Sequence, residues 1–184
     1  AGPGAGAAPP RMDAAQLADV LGELSDKLTD TILLELDTDH RQRVEAVLSY
    51  DEGTAGRLMV TDVISVRQDV TLAVVLRWLR RHQKLPPHTD SIMEIDANNY
   101  FLGKLDLADV VTGAPDELVS NIISYDADTV KVTLQAKEVA ALFENHNLVS
   151  VAVLDDEGHL LGRITLDDVV HVIRDQADAA LLKS

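Results

Sequence analysis

Carboxylates are the chemically competent side chains this chain carries in quantity. Asp and Glu number 31 against 16 Lys and Arg, which gives a formal charge of −15 over 184 residues. Such a surface draws cations and basic partners and repels nucleic acid and anionic lipid headgroups. Only one Trp, three Tyr and two Phe are present, too few for a base-stacking platform. With no Cys, thiolate metal sites, disulfides and Cys nucleophiles are excluded, and the composition fits a reducing compartment. His40, His82, His88, His146, His159 and His171 are scattered without an i, i+4 pair, so no zinc pattern forms. Gly53-Thr54-Ala55-Gly56-Arg57 lacks the Gly-Lys-Ser/Thr of a phosphate loop, and no G-x-S-x-G elbow occurs. Thr165 and Asp168 sit three apart at the start of a helical pattern, where the hydroxyl can cap and the acid can complement the helix dipole. No nucleophile–base pairing is visible, and a catalytic role is not expected.

The elements that must position these groups come in duplicate. NYFLGKLDLADVV, ending at Val111, aligns with GHLLGRITLDDVV, ending at Val170; Gly103 falls over Gly162 and Asp109 over Asp168. The offset of 59 (162 − 103) also carries Ser91-Ile92 onto Ser150-Val151 and Asp96 onto Asp155. One unit built twice, each copy completing the other's core, is the physical meaning of such a period. In copy one a strand is predicted near Val63–Val66, then a helix facing inward with Leu72, Val75, Leu76 and Leu79, and strands at 91–95 and 101–105 before a helix from Leu107. Copy two repeats this order with a strand near 129–132, a helix with Ala136, Val139, Ala140 and Phe143 inward, strands at 150–154 and 160–164, and a helix over 166–180. Ala97-Asn98-Asn99 and Asp156-Glu157-Gly158 supply the positive-φ residues that tight hairpins need. Copy one is five residues longer before its hairpin, and Pro86-Pro87 lies in the excess. Trp78 falls off its helix's apolar stripe, which suits a core edge or a dimer contact, and Arg77, Arg80 and Arg81 form the main basic cluster.

Ahead of the repeat, residues 1–12 read as a disordered Gly/Ala/Pro tail. Residues 13–50 carry three short helical patterns with a thin core. The expected division is therefore 13–50, a helical subdomain; 51–116 and 117–172, the two repeat units; and 173–184, an exit helix. No apolar run approaches the ~20 residues a membrane span needs, so direct membrane insertion of this chain is not expected.

The unit ending G-x-(I/L)-(T/D)-x-x-D-(V/I) resembles a CBS domain, and two in tandem resemble a CBS pair. RVEAVLSYDEGTAGRLM, preceded by MDAAQLADVLGELS, is similar to the junction between helical N domain and CBS pair in MgtE-type magnesium transporters. The resemblance covers Asp13 to about Ala180. It implies an α+β fold, a short helical N-terminal subdomain followed by a tandem CBS pair. It further implies a Mg²⁺-sensing portion on the cytoplasmic side of the inner membrane, a homodimer through its CBS domains, and a transmembrane pore elsewhere in a multi-pass protein. In that family Mg²⁺ bridges acidic faces. Positions where the family has acids fall here at Gln135, Lys137, Asn147 and Gln176, none of which supplies a carboxylate. Asp168 and Gly56 match family positions, and Asp167, Glu138, Asp175 and Asp178 are the nearby replacements, with Asp13, Asp19 and Glu23 on the helical part. The alternative for each acid is a solvated face. A second implication is adenine-nucleotide binding, since Thr165 and Asp168 match the Thr/Ser and Asp that contact phosphate and ribose in nucleotide-binding CBS pairs; Asp106 replaces that hydroxyl in copy one. A third reading is a structural dimerisation module whose ligand sites have decayed.

Overall fold

The computed structural model describes residues 45–183 apart from residue 68. The helical patterns expected before residue 45, with Asp13, Asp19 and Glu23, lie outside the described residues; only the last helical turn, at 45–48, is within them. From there the order is α1 (Ala55–Leu58), β1 (Ser65–Arg67), α2 (Leu72–Arg81), β2 (Ser91–Ile95), β3 (Phe101–Asp106) and α3 (Leu107–Thr112). The second half runs α4 (Val119–Ile122), β4 (Thr129–Lys131), α5 (Ala136–His146), β5 (Ser150–Leu154), β6 (Leu160–Thr165) and α6 (Leu166–Lys183). The α+β class and both β-α-β-β-α units are as the periodicity predicts.

Each unit is a three-stranded sheet, ordered β1-β2-β3 and β4-β5-β6, with a parallel first pair and an antiparallel hairpin. The register repeats down to the bulge, at Glu94/Ile95 in one sheet and Val153/Leu154 in the other. Asn99 (φ 67) and Gly158 (φ 99) turn the two hairpins with the left-handed backbone their residue types tolerate. Central strands β2 and β5 are buried on both faces over four of five residues. One face carries helices, with Val75 and Leu79 over the first sheet and Val139 and Phe143 over the second. The other face meets the opposite sheet through Met93, Ala152 and Leu160.

Residues 59 positions apart meet across this seam, the signature of a pseudo-twofold axis. Ser91 Oγ and Ser150 Oγ lie 3.5 Å apart. The rings of Tyr100 and His159 stack at 4.3 Å. The same offset relates two bonds across the seam, Phe101 N–H donating to the Gly158 carbonyl and Leu160 N–H to that of Asn99, each at 3.0 Å.

Two short elements were not legible in the periodicity, α1 and α4, because four residues are too few to declare a 3.6-residue repeat. Their placement explains the interdependence of the copies. Ala55 and Met59 of the α1 segment pack in the second unit's core, and Val119 and Ile123 of the α4 segment pack in the first unit's core. Backbone pairing fixes the exchange: Val60 and Arg163 bond reciprocally at 2.8 and 2.9 Å, as do Lys104 and Ser124 at 3.1 and 3.0 Å. The repeated glycines make room for these crossings. A β-carbon on Gly162 would stand 2.7 Å from the Val60 carbonyl oxygen, and one on Gly103 would stand 2.5 Å from that of Ser124. Helix α6 runs unbroken through residues 172 and 173, where an exit helix was expected to begin.

Candidate functional site

Thr165 ends β6 and Asp168 lies in the first turn of α6, so the strand–helix junction itself brings hydroxyl and carboxylate together. Asp168 Oδ2 accepts from Thr165 N–H at 2.8 Å and from its hydroxyl at 3.0 Å. The carboxylate thus reaches back to cap the helix, while the hydroxyl donates to it instead of accepting from a helix N–H. Burial pushes the Asp168 carboxyl above its usual range; the Thr165 bonds oppose that, Asp167 adds to it, and Arg163 opposes it. Asp167 points outward, 3.9 Å from His88 Nε2.

A buried polar cluster adjoins this corner and was not singled out from the sequence. Ser150, the register partner of Thr165, donates to Asp90 Oδ1 at 2.7 Å. Lys104 Nζ donates to the Ser150 carbonyl at 3.0 Å and lies 3.6 Å from Asp90 Oδ2. Arg163, 5% exposed, donates to the carbonyls of His88 (3.0 Å) and Pro87 (2.6 Å). Burial lowers its guanidinium's hold on the proton, and the charges of Asp168, Asp90 and Asp62 oppose that. Lys104 and Arg163 are 59 apart, as are Ser91 and Ser150, so the repeat alignment held the signal that these positions share the seam.

A second region is a groove of about 500 Å³ between the α1 segment, the start of α5 and the middle of α6. Glu52 and Asp175 contribute carboxylates to it; Arg57, Lys137, His171 and Gln176 line it as well. Its floor is fixed by Ala136 N–H donating to the Gly53 carbonyl at 2.7 Å and Gly56 N–H to that of Val132 at 2.9 Å. Gly56 is buried, with the Tyr50 ring where its side chain would stand. Glu138 lies elsewhere, in a neighbouring depression with Gln135 and Lys131; Lys137 borders both. Asp178, one turn beyond Asp175, is exposed. Asp175 and Glu52 are therefore brought to one groove, whereas Glu138, Asp167 and Asp178 stand apart. Among the described residues no three His, Asp or Glu side chains gather into a metal cage. What they offer is the Glu52 and Asp175 carboxylates in one groove and single carboxylates elsewhere.

Two sheets packed about a pseudo-twofold axis, with each unit's leading segment completing the other's core, define a tandem CBS pair. The CBS domain model matches residues 119–175 and the MgtE intracellular N domain model matches residues 10–53. The magnesium transporter MgtE of Thermus thermophilus is 33% identical over 142 residues, 77% of this chain and 32% of that protein. A crystal structure of the soluble part of a magnesium transporter superposes with a TM-score of 0.86 at 25% identity, covering 90% of this chain and 65% of the other. The cytosolic domain of the Mg²⁺ channel MgtE in complex with ATP gives 0.84 at 30% identity, over 88% and 66%. This chain is homologous to the cytosolic portion of MgtE magnesium transporters. It spans about a third of the length of the curated relatives it matches. Among the described residues no helix is long and apolar enough to cross a membrane.

Proposed function

We propose that the chain is a Mg²⁺-sensing regulatory portion that gates a linked transmembrane pore from the cytoplasmic side, as a homodimer through its CBS units. Residues 13–50 act as the remaining part of the N domain, 51–116 and 117–172 as the CBS units, and 173–184 as the connection toward the pore. The carrying observation is the groove that both Glu52 and Asp175 line, with Glu52 Oε1 4.0 Å from Arg57. Carboxylates on two surfaces repel until a divalent ion lies between them, so closure becomes linked to Mg²⁺ concentration. Arg57 and Lys137 in the same groove already offset part of that repulsion, which lowers the number of ions the closed state needs. At high Mg²⁺ the module is closed and holds the pore shut; at low Mg²⁺ it opens. Asp168, Asp167, Glu138, Asp178 and the Gly56 carbonyl are the further candidate contacts.

Thermal melting tests this. A site filled to ten times its dissociation constant adds about 1.4 kcal/mol of stability. The chain is expected to melt higher in millimolar MgCl₂ than in NaCl of equal ionic strength, and Asp175→Asn is expected to shrink that excess by half or more. Identical melting in the two salts sinks the specific-ion reading.

A second reading, adenine-nucleotide binding, is favoured by the ATP-bound relative and by the Thr165–Asp168 corner. Titration calorimetry with ATP should then give saturable heat, and Thr165→Ala should weaken binding about tenfold, the loss of a hydrogen bond to a charged group. Unchanged affinity in the variant removes Thr165 from the site. With neither ligand bound, a structural dimerisation module remains.

A further inference from the structure

The five extra residues of copy one form a strap across the Thr165–Asp168 corner. In copy two, α5 ends on Asn147 and β5 begins at Ser150. In copy one the chain instead runs from Arg81 to Ser91 through Pro86-Pro87-His88, two rings that stiffen it. Its far end is tied down by Ser150 Oγ donating to Asp90. Its middle closes on itself, Thr89 Oγ1 donating to the Pro86 carbonyl at 2.6 Å. Its crest is held by the buried Arg163 guanidinium, one nitrogen on the Pro87 carbonyl and another on that of His88. His88 takes a left-handed backbone (φ 59), which a β-carbon disfavours, and its ring reaches Asp167. The strap thus spans from the strand partner of Thr165 to the neighbour of Asp168.

We propose that Arg163 is a two-position clamp: it holds the Pro86–His88 strap over the corner when no anion is bound, and releases the strap to grip the phosphates of a nucleoside polyphosphate. This rests on the nucleotide reading above. The chemistry favours exchange, because a phosphate meets a guanidinium with opposite charge and in bidentate geometry, which two separate carbonyls do not offer. Asp62, Asp90 and Asp168 act on the same guanidinium, so the incoming phosphates must be partly neutralised, and the Mg²⁺ complex of ATP is the matching form. The strap makes binding a competition, in which apparent affinity falls by the fraction of molecules with the strap open.

The test is trypsin cleavage after Lys84, followed by mass spectrometry, on the full chain. Cleavage in this regime tracks the open population. Saturating MgATP is expected to speed cleavage at Lys84 about tenfold, against the usual protection by a ligand, whereas adenosine, lacking phosphate, is expected to leave it unchanged. R163Q should be cut fast with or without MgATP. A second variant lacking Pro86–His88 should bind MgATP about tenfold tighter in calorimetry. If MgATP binds but cleavage is unchanged or slowed, or the shortened variant binds no tighter, the clamp is overturned and the nucleotide reading stands. If neither protein binds MgATP, both fall together.

Discussion

Replacing Gly103 with alanine is expected to destabilise the chain by about 3 kcal/mol, and Gly162 with alanine by about 2–3 kcal/mol. Neither glycine has a positive φ, so the cost is not backbone strain but contact. At Gly103 the new β-carbon meets the Ser124 carbonyl at 2.5 Å and Ile123 Cγ1 at 3.0 Å. At Gly162 it meets the Val60 carbonyl at 2.7 Å and Met59 Sδ at 3.0 Å. In both cases the obstacle is backbone already paired to the neighbouring residue, Lys104 or Arg163, so it cannot give way without breaking the bonds that exchange segments between units. Two to three kcal/mol corresponds to a melting drop of roughly 5–10 °C in a chain of this size. A loss under about 0.5 kcal/mol, the usual range of surface changes, at both sites would mean the crossing segments are loosely held and the exchange does not bind the units together.

Glu94→Val is expected to stabilise, and to do so more as pH rises. Glu94 is fully buried, and neither carboxylate oxygen has a hydrogen-bond partner. It sits on the core side of β2 between Val66 and Gly103, where the other unit has Val153 opposite Gly162. Burial, with no charge assisting, pushes its carboxyl above the ordinary value of 4.5. Below the unfolded value both states hold the proton and the titration adds nothing. As pH rises through it, the unfolded chain releases its proton while the folded chain keeps it. The unfolded state then binds fewer protons, so folding stability falls until the folded value is passed. At neutral pH an unsatisfied buried polar group costs about 1–3 kcal/mol, which is the gain expected for Glu94→Val. The gap between the melting curves of the two proteins should be smallest near pH 4 and widen toward pH 7. A constant difference across that range would show that burial does not raise the Glu94 carboxyl.

The repeat made most of this architecture readable. Gly103 over Gly162 set both hairpins and both final helices, because strand alternation and turn residues are local signals. The exchange of α1 and α4 was hidden: Ala55, Met59, Val119 and Ile123 are ordinary apolar residues whose destination is fixed by packing alone. Of the candidate sites, Thr165 and Asp168 were legible because a strand–helix junction places residues three apart side by side. Asp175 was named, but its groove partner Glu52 lies 123 positions away (175 − 52), brought near by backbone bonds such as Ala136–Gly53 and Gly56–Val132. Arg163 was legible as a repeat position and silent as a function, since its two acceptors are backbone carbonyls that no side-chain pattern announces.

Small-angle scattering of the full chain, in millimolar MgCl₂ and in NaCl of the same ionic strength, tests the sensing account most directly. A smaller radius of gyration in Mg²⁺ alone is the predicted result, as acidic faces draw together on a bridging ion. Superimposable curves in the two salts would contradict it.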